Sequence, residues 1–168
     1  MQRPTASGKL ARVAHFESSF DGFRPLVRAR WRESAEPGAG LWFDLDPHLL
    51  DQLLQLFGWP QALCVDAATR RDDALSDDWC MATLHCDRLR VTLHASMLQA
   101  AFNPRYAVHG TRGSYVELGL DRQEDALKAG RRPAWPAPAD RGIDTGGSTL
   151  QVPRGDAISV DPWPLARG

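Results

Sequence analysis

Between Lys9 and Phe20 the chain reads KLARVAHFESSF. Leu10, Arg12, Ala14 and Phe16 alternate with Ala11, Val13, His15 and Glu17, which predicts a strand closing at an Asp21-Gly22 turn. Leu26 to Arg32 predicts a second strand, with Val27, Ala29 and Trp31 on one face and Arg28, Arg30 and Arg32 on the other. Ser34 to Gly40 (SAEPGAG) is a loop. Next comes the plainest helical stripe: Leu49, Leu50, Leu53, Leu54 and Phe57 recur at helical spacing, and His48, Asp51, Gln52 and Gln55 lie on the other side. Asp46 suits the N-cap, Pro47 the first helical position, and Gly58 with Pro60 the stop.

Strands follow. Ala62 to Ala68 is one, and Trp79 to Cys86 with Leu89 to Leu98 form a hairpin turning at Asp87-Arg88. A two-residue turn fixes the register. It sets Leu84 opposite Val91, Ala82 opposite Leu93 and Cys80 opposite Ala95, all apolar. The other face sets Met81 opposite His94, Thr83 opposite Thr92 and Trp79 opposite Ser96. A mixed face of Trp, Met, Thr and His suits an interface rather than water or core. Arg105 to His109 and Ser114 to Leu120 form another hairpin around Gly110-Thr111-Arg112-Gly113, and Asp121 to Ala129 a short helix. From Arg131 on, Pro and Gly are dense and periodicity fades, apart from one strand near Leu150-Gln151-Val152. The reading is a domain over 1–130 and a loosely ordered segment over 131–168.

Counted together, these are about six or seven strands against two helices that do not alternate with them. The fold class is therefore α+β: an open-faced, mostly antiparallel sheet with helices on one face, and no Rossmann array. The length of 168 residues suits one ordinary domain. The net charge of −1 speaks against a nucleic-acid partner, and Lys occurs only at Lys9 and Lys128, so the basic residues are nearly all Arg. No stretch is long and apolar enough for a membrane span, and the N-terminus has no secretory h-region. Cys64, Cys80 and Cys86 are an odd number without CxxC spacing, which suits a reduced, cytoplasmic protein.

Little in the sequence carries chemistry by itself. No GxGxxG follows a strand, and no GxxxxGK[ST] or GxSxG occurs. His85, Cys86 and His94 do not make a zinc site, because Cys86 points away from His85 in the hairpin register. No metal site is expected. His48 stands apart, four residues after Asp44 at the start of the helix. A carboxylate at that spacing orients an imidazole and steadies its protonated form if both lie on one helical face. On spacing alone, a capped helix with an exposed histidine is the favoured reading.

The stretch GAGLWFDLDPHLLDQLLQLFGWPQ resembles the start of the substrate domain of Gfo/Idh/MocA-family oxidoreductases, relatives of glucose–fructose oxidoreductase and inositol dehydrogenase. Asp44 and His48 match the Asp and His of the family's Asp-x-Gly-x-His motif, and Asp51, Phe57, Gly58 and Pro60 match the positions after it. HFESSFDGFRP, RWRE and HGTRGSYVELGLDRQEDALKAG are similar in the same order. The resemblance implies NAD(P)-dependent hydride transfer on a sugar, polyol or related hydroxyl compound. It implies His48 as acid/base, Asp44 as its support, and Arg32 and Asp51 as substrate contacts. It further implies a homodimer through the sheet face carrying Trp79, Met81, Thr92 and His94.

Two departures qualify this. The nucleotide-binding half has no counterpart in the sequence, so no cofactor is expected on this chain, NAD or NADP entering only with a Rossmann domain supplied elsewhere. The isolated chain is then inactive, and a non-catalytic sugar-binding or oligomerisation protein is the alternative. The motif's Gly is Asp46 here, expected to add negative charge beside Asp44.

Overall fold

The computed structural model describes residues 10–101, 103–118, 130, 149–151 and 157–159. Its strands are β1 (Val13–Asp21), β2 (Ala62–Ala68), β3 (Trp79–Cys86), β4 (Leu89–Ser96), β5 (Tyr106–Gly110), β6 (Gly113–Glu117), β7 (Thr149–Gln151) and β8 (Ala157–Ser159). One α-helix, α1 (Leu41–Phe57), lies between β1 and β2. The strands form a single sheet in the order β2-β3-β4-β1-β5-β6-β7-β8. Every neighbouring pair is antiparallel except β1 with β4. Those two can run parallel because α1, β2 and β3 supply the long connection a parallel pair needs.

The β3–β4 hairpin has the register that its alternation predicts: Leu84 pairs with Val91, Ala82 with Leu93, Cys80 with Ala95 and Met81 with His94. Its apolar side receives α1. Leu49 and Leu53 pack on Phe16, Ala82, Leu84, Val91, Leu93 and Val108, and Leu50, Leu54 and Phe57 flank them. Each such side chain contributes about 1.5–3 kcal/mol by leaving water. A register shift in the β1–β5 pairing between Val13 and His15 lets Val13 and Phe16 both point inward although three residues apart.

Three local expectations are corrected. The alternating run Leu26 to Arg32 is not a strand. It is irregular and ends in a short 3₁₀ turn, Trp31–Glu33, with Leu26 and Trp31 exposed. Arg30 and Arg32 bind carboxylates instead of sharing one solvent face with Arg28. Second, α1 starts at Leu41, before Asp46 and Pro47, and Pro47 lies inside it. Third, β6 ends at Glu117 rather than Leu120, and Gly110 and Gly113 pair in the ladder, so the turn is Thr111-Arg112. The strand expected near Leu150 is β7, and β8 is an addition. The helix expected over Asp121 to Ala129 lies outside the described residues.

Candidate functional site

The start of α1 is held from a distance. The backbone N–H of Leu41 donates to the Asp77 carbonyl at 2.8 Å, and that of Trp42 to the Asp77 carboxylate at 2.7 Å. Asp77 thus satisfies two of the four N–H groups a helix start leaves without partners, and its charge suits the helix dipole. Gly40 makes this approach possible. Its φ is +102°, and a Cβ there would collide with the Asp77 carboxylate. The Gly40 N–H also donates to the Arg32 carbonyl at 2.8 Å, which draws the 3₁₀ turn against the helix start.

That docking brings Arg32 to Asp44, with Nε 3.1 Å from Oδ1. Because α1 begins early, Asp44, His48 and Asp51 all lie within the helix, at i, i+4 and i+7 along one face. His48 and Asp51 are exposed. Asp51 accepts a hydrogen bond from Gln55 Nε2 at 2.7 Å. Asp44 pairs with Arg32 and makes no hydrogen bond to His48. The sequence-derived residues therefore form a surface row, with a guanidinium–carboxylate pair at one end and an open imidazole one turn on.

Asp46 does not join this row. It is 1% exposed and turned inward, where Cys80 Sγ donates to its Oδ2 at 3.0 Å. Burial pushes its carboxyl up to about 6, the nearby Asp77 charge adds to this, and Cys80 and His94 act in the opposite direction. Burial and the facing carboxylate likewise raise the Cys80 thiol far above its ordinary range. The expected second negative charge beside Asp44 is thus directed into the core instead.

Sequence reading missed the framework that places Arg32. Arg71, 7% exposed, holds Asp78 Oδ2 at 2.9 Å and Glu33 Oε2 at 3.0 Å, and donates to the carbonyls of Arg24 and Leu26. Arg30 Nε donates to Glu33 Oε1 at 2.6 Å. Burial alone would raise the Glu33 carboxyl, but the Arg28 N–H with Arg30 and Arg71 outweighs it and holds the group below its ordinary value. Behind the helix, Arg105 stacks between Phe20 and Tyr106 and donates to Ser18 Oγ, the Ser19 carbonyl and Gln52 Oε1. Gln52, on the polar stripe, also accepts from the Tyr106 hydroxyl, so it serves the helix–sheet joint.

The sheet face away from α1 is mixed, as its alternation predicts. Met81 is 39% exposed, and Trp79, Thr92 and His94 are partly covered. His94 Nδ1 lies 2.8 Å from Asp21 Oδ1, with the Trp79 ring edge-on to the imidazole. Among the described residues no helix is long and apolar enough to cross a membrane.

Comparison with known proteins places these features in context. The model of the GFO/IDH/MocA C-terminal domain matches residues 1–116. YdgJ of Escherichia coli (strain K12), described as an uncharacterised oxidoreductase, is 56% identical over 127 residues, which cover 76% of this chain and 37% of YdgJ. IolW of Bacillus subtilis (strain 168), a scyllo-inositol 2-dehydrogenase (NADP(+)), is 38% identical over 128 residues, covering 76% of this chain and 36% of IolW. A solved structure of an oxidoreductase candidate from Yersinia pestis is 45% identical with a TM-score of 0.82, covering 95% of this chain and 44% of that one. The chain thus spans well under half the length of these relatives.

Proposed function

This chain belongs to the GFO/IDH/MocA C-terminal domain family, and from that premise we propose that it is the substrate-binding and dimerisation part of an NAD(P)-dependent oxidoreductase acting on a polyol or sugar hydroxyl. Its relatives are oxidoreductases that carry this domain. The observation that carries the proposal is the row on α1, where Asp44 and His48 stand one turn apart on an exposed face and Arg32 is clamped to Asp44.

In this reading His48 takes the proton from the substrate hydroxyl as its carbon gives up hydride. An open imidazole can reach a hydroxyl directly and accept its proton. Asp44 supports the imidazolium that results, and the Arg32 guanidinium fixes the carboxylate that does so. Asp51, one turn further, accepts hydrogen bonds from neighbouring hydroxyls of a polyol. The nicotinamide supplies the hydride acceptor and is held by a nucleotide-binding domain, whose motifs this sequence does not contain. The mixed sheet face with Met81 and Trp79 supports the pairing of two copies.

A chimera tests this. The matching part of IolW is replaced by this chain, and reduction of NADP+ by scyllo-inositol is followed. Turnover is expected, and His48→Ala in the chimera lowers kcat by about 10²–10⁴-fold, the usual contribution of a positioned acid/base. A well-folded chimera whose His48→Ala variant keeps full kcat removes His48 from the chemistry.

A further inference from the structure

The sheet face opposite α1 holds a group of ligating side chains that the proposed reaction does not use. His15 and Glu17 are alternate residues of β1 and so project from the same side of the sheet. His109 of β5 is the ladder partner of His15. The two imidazoles stack with centroids 5.8 Å apart, and His15 Nδ1 is 3.3 Å from Glu17 Oε1. One donor atom from each of the three residues lies within 4.8 Å of the other two. We propose that His15, Glu17 and His109 form a binding site for a divalent transition-metal ion of the zinc class.

The donor set fits that ion. Two neutral imidazoles and one carboxylate satisfy its preference for nitrogen and oxygen ligands, and leave further positions for water. A zinc-class ion binds such atoms at about 2.0–2.2 Å, so the donors must draw together by an ångström or so. The side chains of His15 and Glu17, 38% and 44% exposed, have the room to do so. The surroundings orient the rings. Ser114 Oγ, 2.8 Å away, engages His109 Nδ1 and leaves Nε2 as the ligating nitrogen. Thr92 Oγ1 lies 3.4 Å from His15 Nε2, which leaves Nδ1, the nitrogen beside Glu17, as the donor. Two stacked rings beside one carboxylate repel each other when both are protonated, and a bound cation removes that conflict by requiring both neutral. The face carries a second histidine–carboxylate pair, His94 with Asp21, but no third ligating residue joins it among the described residues.

All three ligands come from one chain, and Thr92, which orients His15, belongs to the face proposed above to pair two copies. The test titrates Co(II) into the full chain after chelator treatment and reads the visible d–d absorption, with Zn(II) as competitor. One Co(II) per chain is expected, with a band that Zn(II) abolishes. His15→Gln and His109→Gln each lose the band, and Ser114→Ala weakens binding about tenfold through the outer shell. His85→Gln, an exposed histidine of the same face, keeps it. Circular dichroism of each metal-free variant establishes that it is folded. No band in the wild type, a band that survives in folded His15→Gln or His109→Gln, or one lost in folded His85→Gln overturns the proposal.

Discussion

Cys80 donates its thiol hydrogen to Asp46 across the interface between α1 and the sheet, with Sγ 3.0 Å from Oδ2 and each residue 1% exposed. A carboxyl in that position retains its proton up to about pH 6, whereas in the unfolded chain it releases it near its ordinary value of 3.8. Between those values the native state binds the extra proton. Its stabilising contribution is therefore complete below about pH 4 and is lost as pH rises through 6, on the order of 3 kcal/mol across the window.

Asp46→Asn keeps an acceptor for Cys80 and removes the titration. The variant is expected to melt several degrees above wild type at pH 7.5 and to converge with it near pH 4. Thermal melts of both proteins from pH 4 to 8 check this. Parallel curves across that range would show that Asp46 carries no such cost.

Arg71 joins segment 24–33 to the loop before β3, and its removal leaves the Asp78 carboxylate buried without its guanidinium. Arg71→Met is expected to cost about 3–5 kcal/mol, as breaking a buried pair does. Hydrogen exchange should accelerate first at residues 24–33, ahead of the β3–β4 hairpin, because only that segment loses its attachment. Uniform acceleration along the chain would mean that Arg71 supports the core rather than this segment. Glu33 adds an acid-side effect: its lowered carboxyl gives stability above its ordinary value of 4.5 that is lost as pH falls through the lower folded value.

Gly40 and Gly38 separate strain from collision. Both have positive φ, +102° and +86°, but a Cβ at Gly38 meets nothing within 4 Å while one at Gly40 strikes Asp77. Each alanine stores backbone strain of about 1–3 kcal/mol. Gly40→Ala is expected to cost measurably more than Gly38→Ala in urea unfolding, because it also displaces the carboxylate that caps α1. Equal losses would leave Asp77 without a role in starting the helix.

These particulars explain what could be read along the chain. The β3–β4 register was legible because a two-residue turn leaves one way to segregate Leu84, Ala82 and Cys80 from Met81 and Thr83. The stripe from Leu49 to Phe57 was legible because local periodicity mirrors burial. The start of α1 was not. Pro47 resembles a first helical residue, and the group that permits an earlier start, Asp77, lies 35 residues on from Trp42. For the same reason Leu26 to Arg32 reads as a strand by alternation, yet Arg30 and Arg32 bind Glu33 and Asp44. The row Asp44–His48–Asp51 was legible as residues, but its shared face depended on that helix start. The closeness of His15 to His109 needed the β1–β5 pairing, which no local signal specifies.

The proposed pairing of two copies through the open sheet face gives the last prediction. Met81 stands out of β3 at 39% exposure, flanked across the ladder by His94, and a flexible apolar side chain there gains by being covered. Met81→Glu puts a charge in that position, which a closing partner would bury at a cost of several kcal/mol. The fold itself tolerates the change, since Met81 lies outside the cluster formed by Leu84, Val91 and Leu49. Light scattering at micromolar concentration should therefore give a dimer for the wild type and a folded monomer for Met81→Glu. Thr111→Glu, at the tip of the β5–β6 hairpin, should remain dimeric. A wild type that is monomeric at that concentration, or a Met81→Glu variant that still dimerises, assigns the exposed face another use.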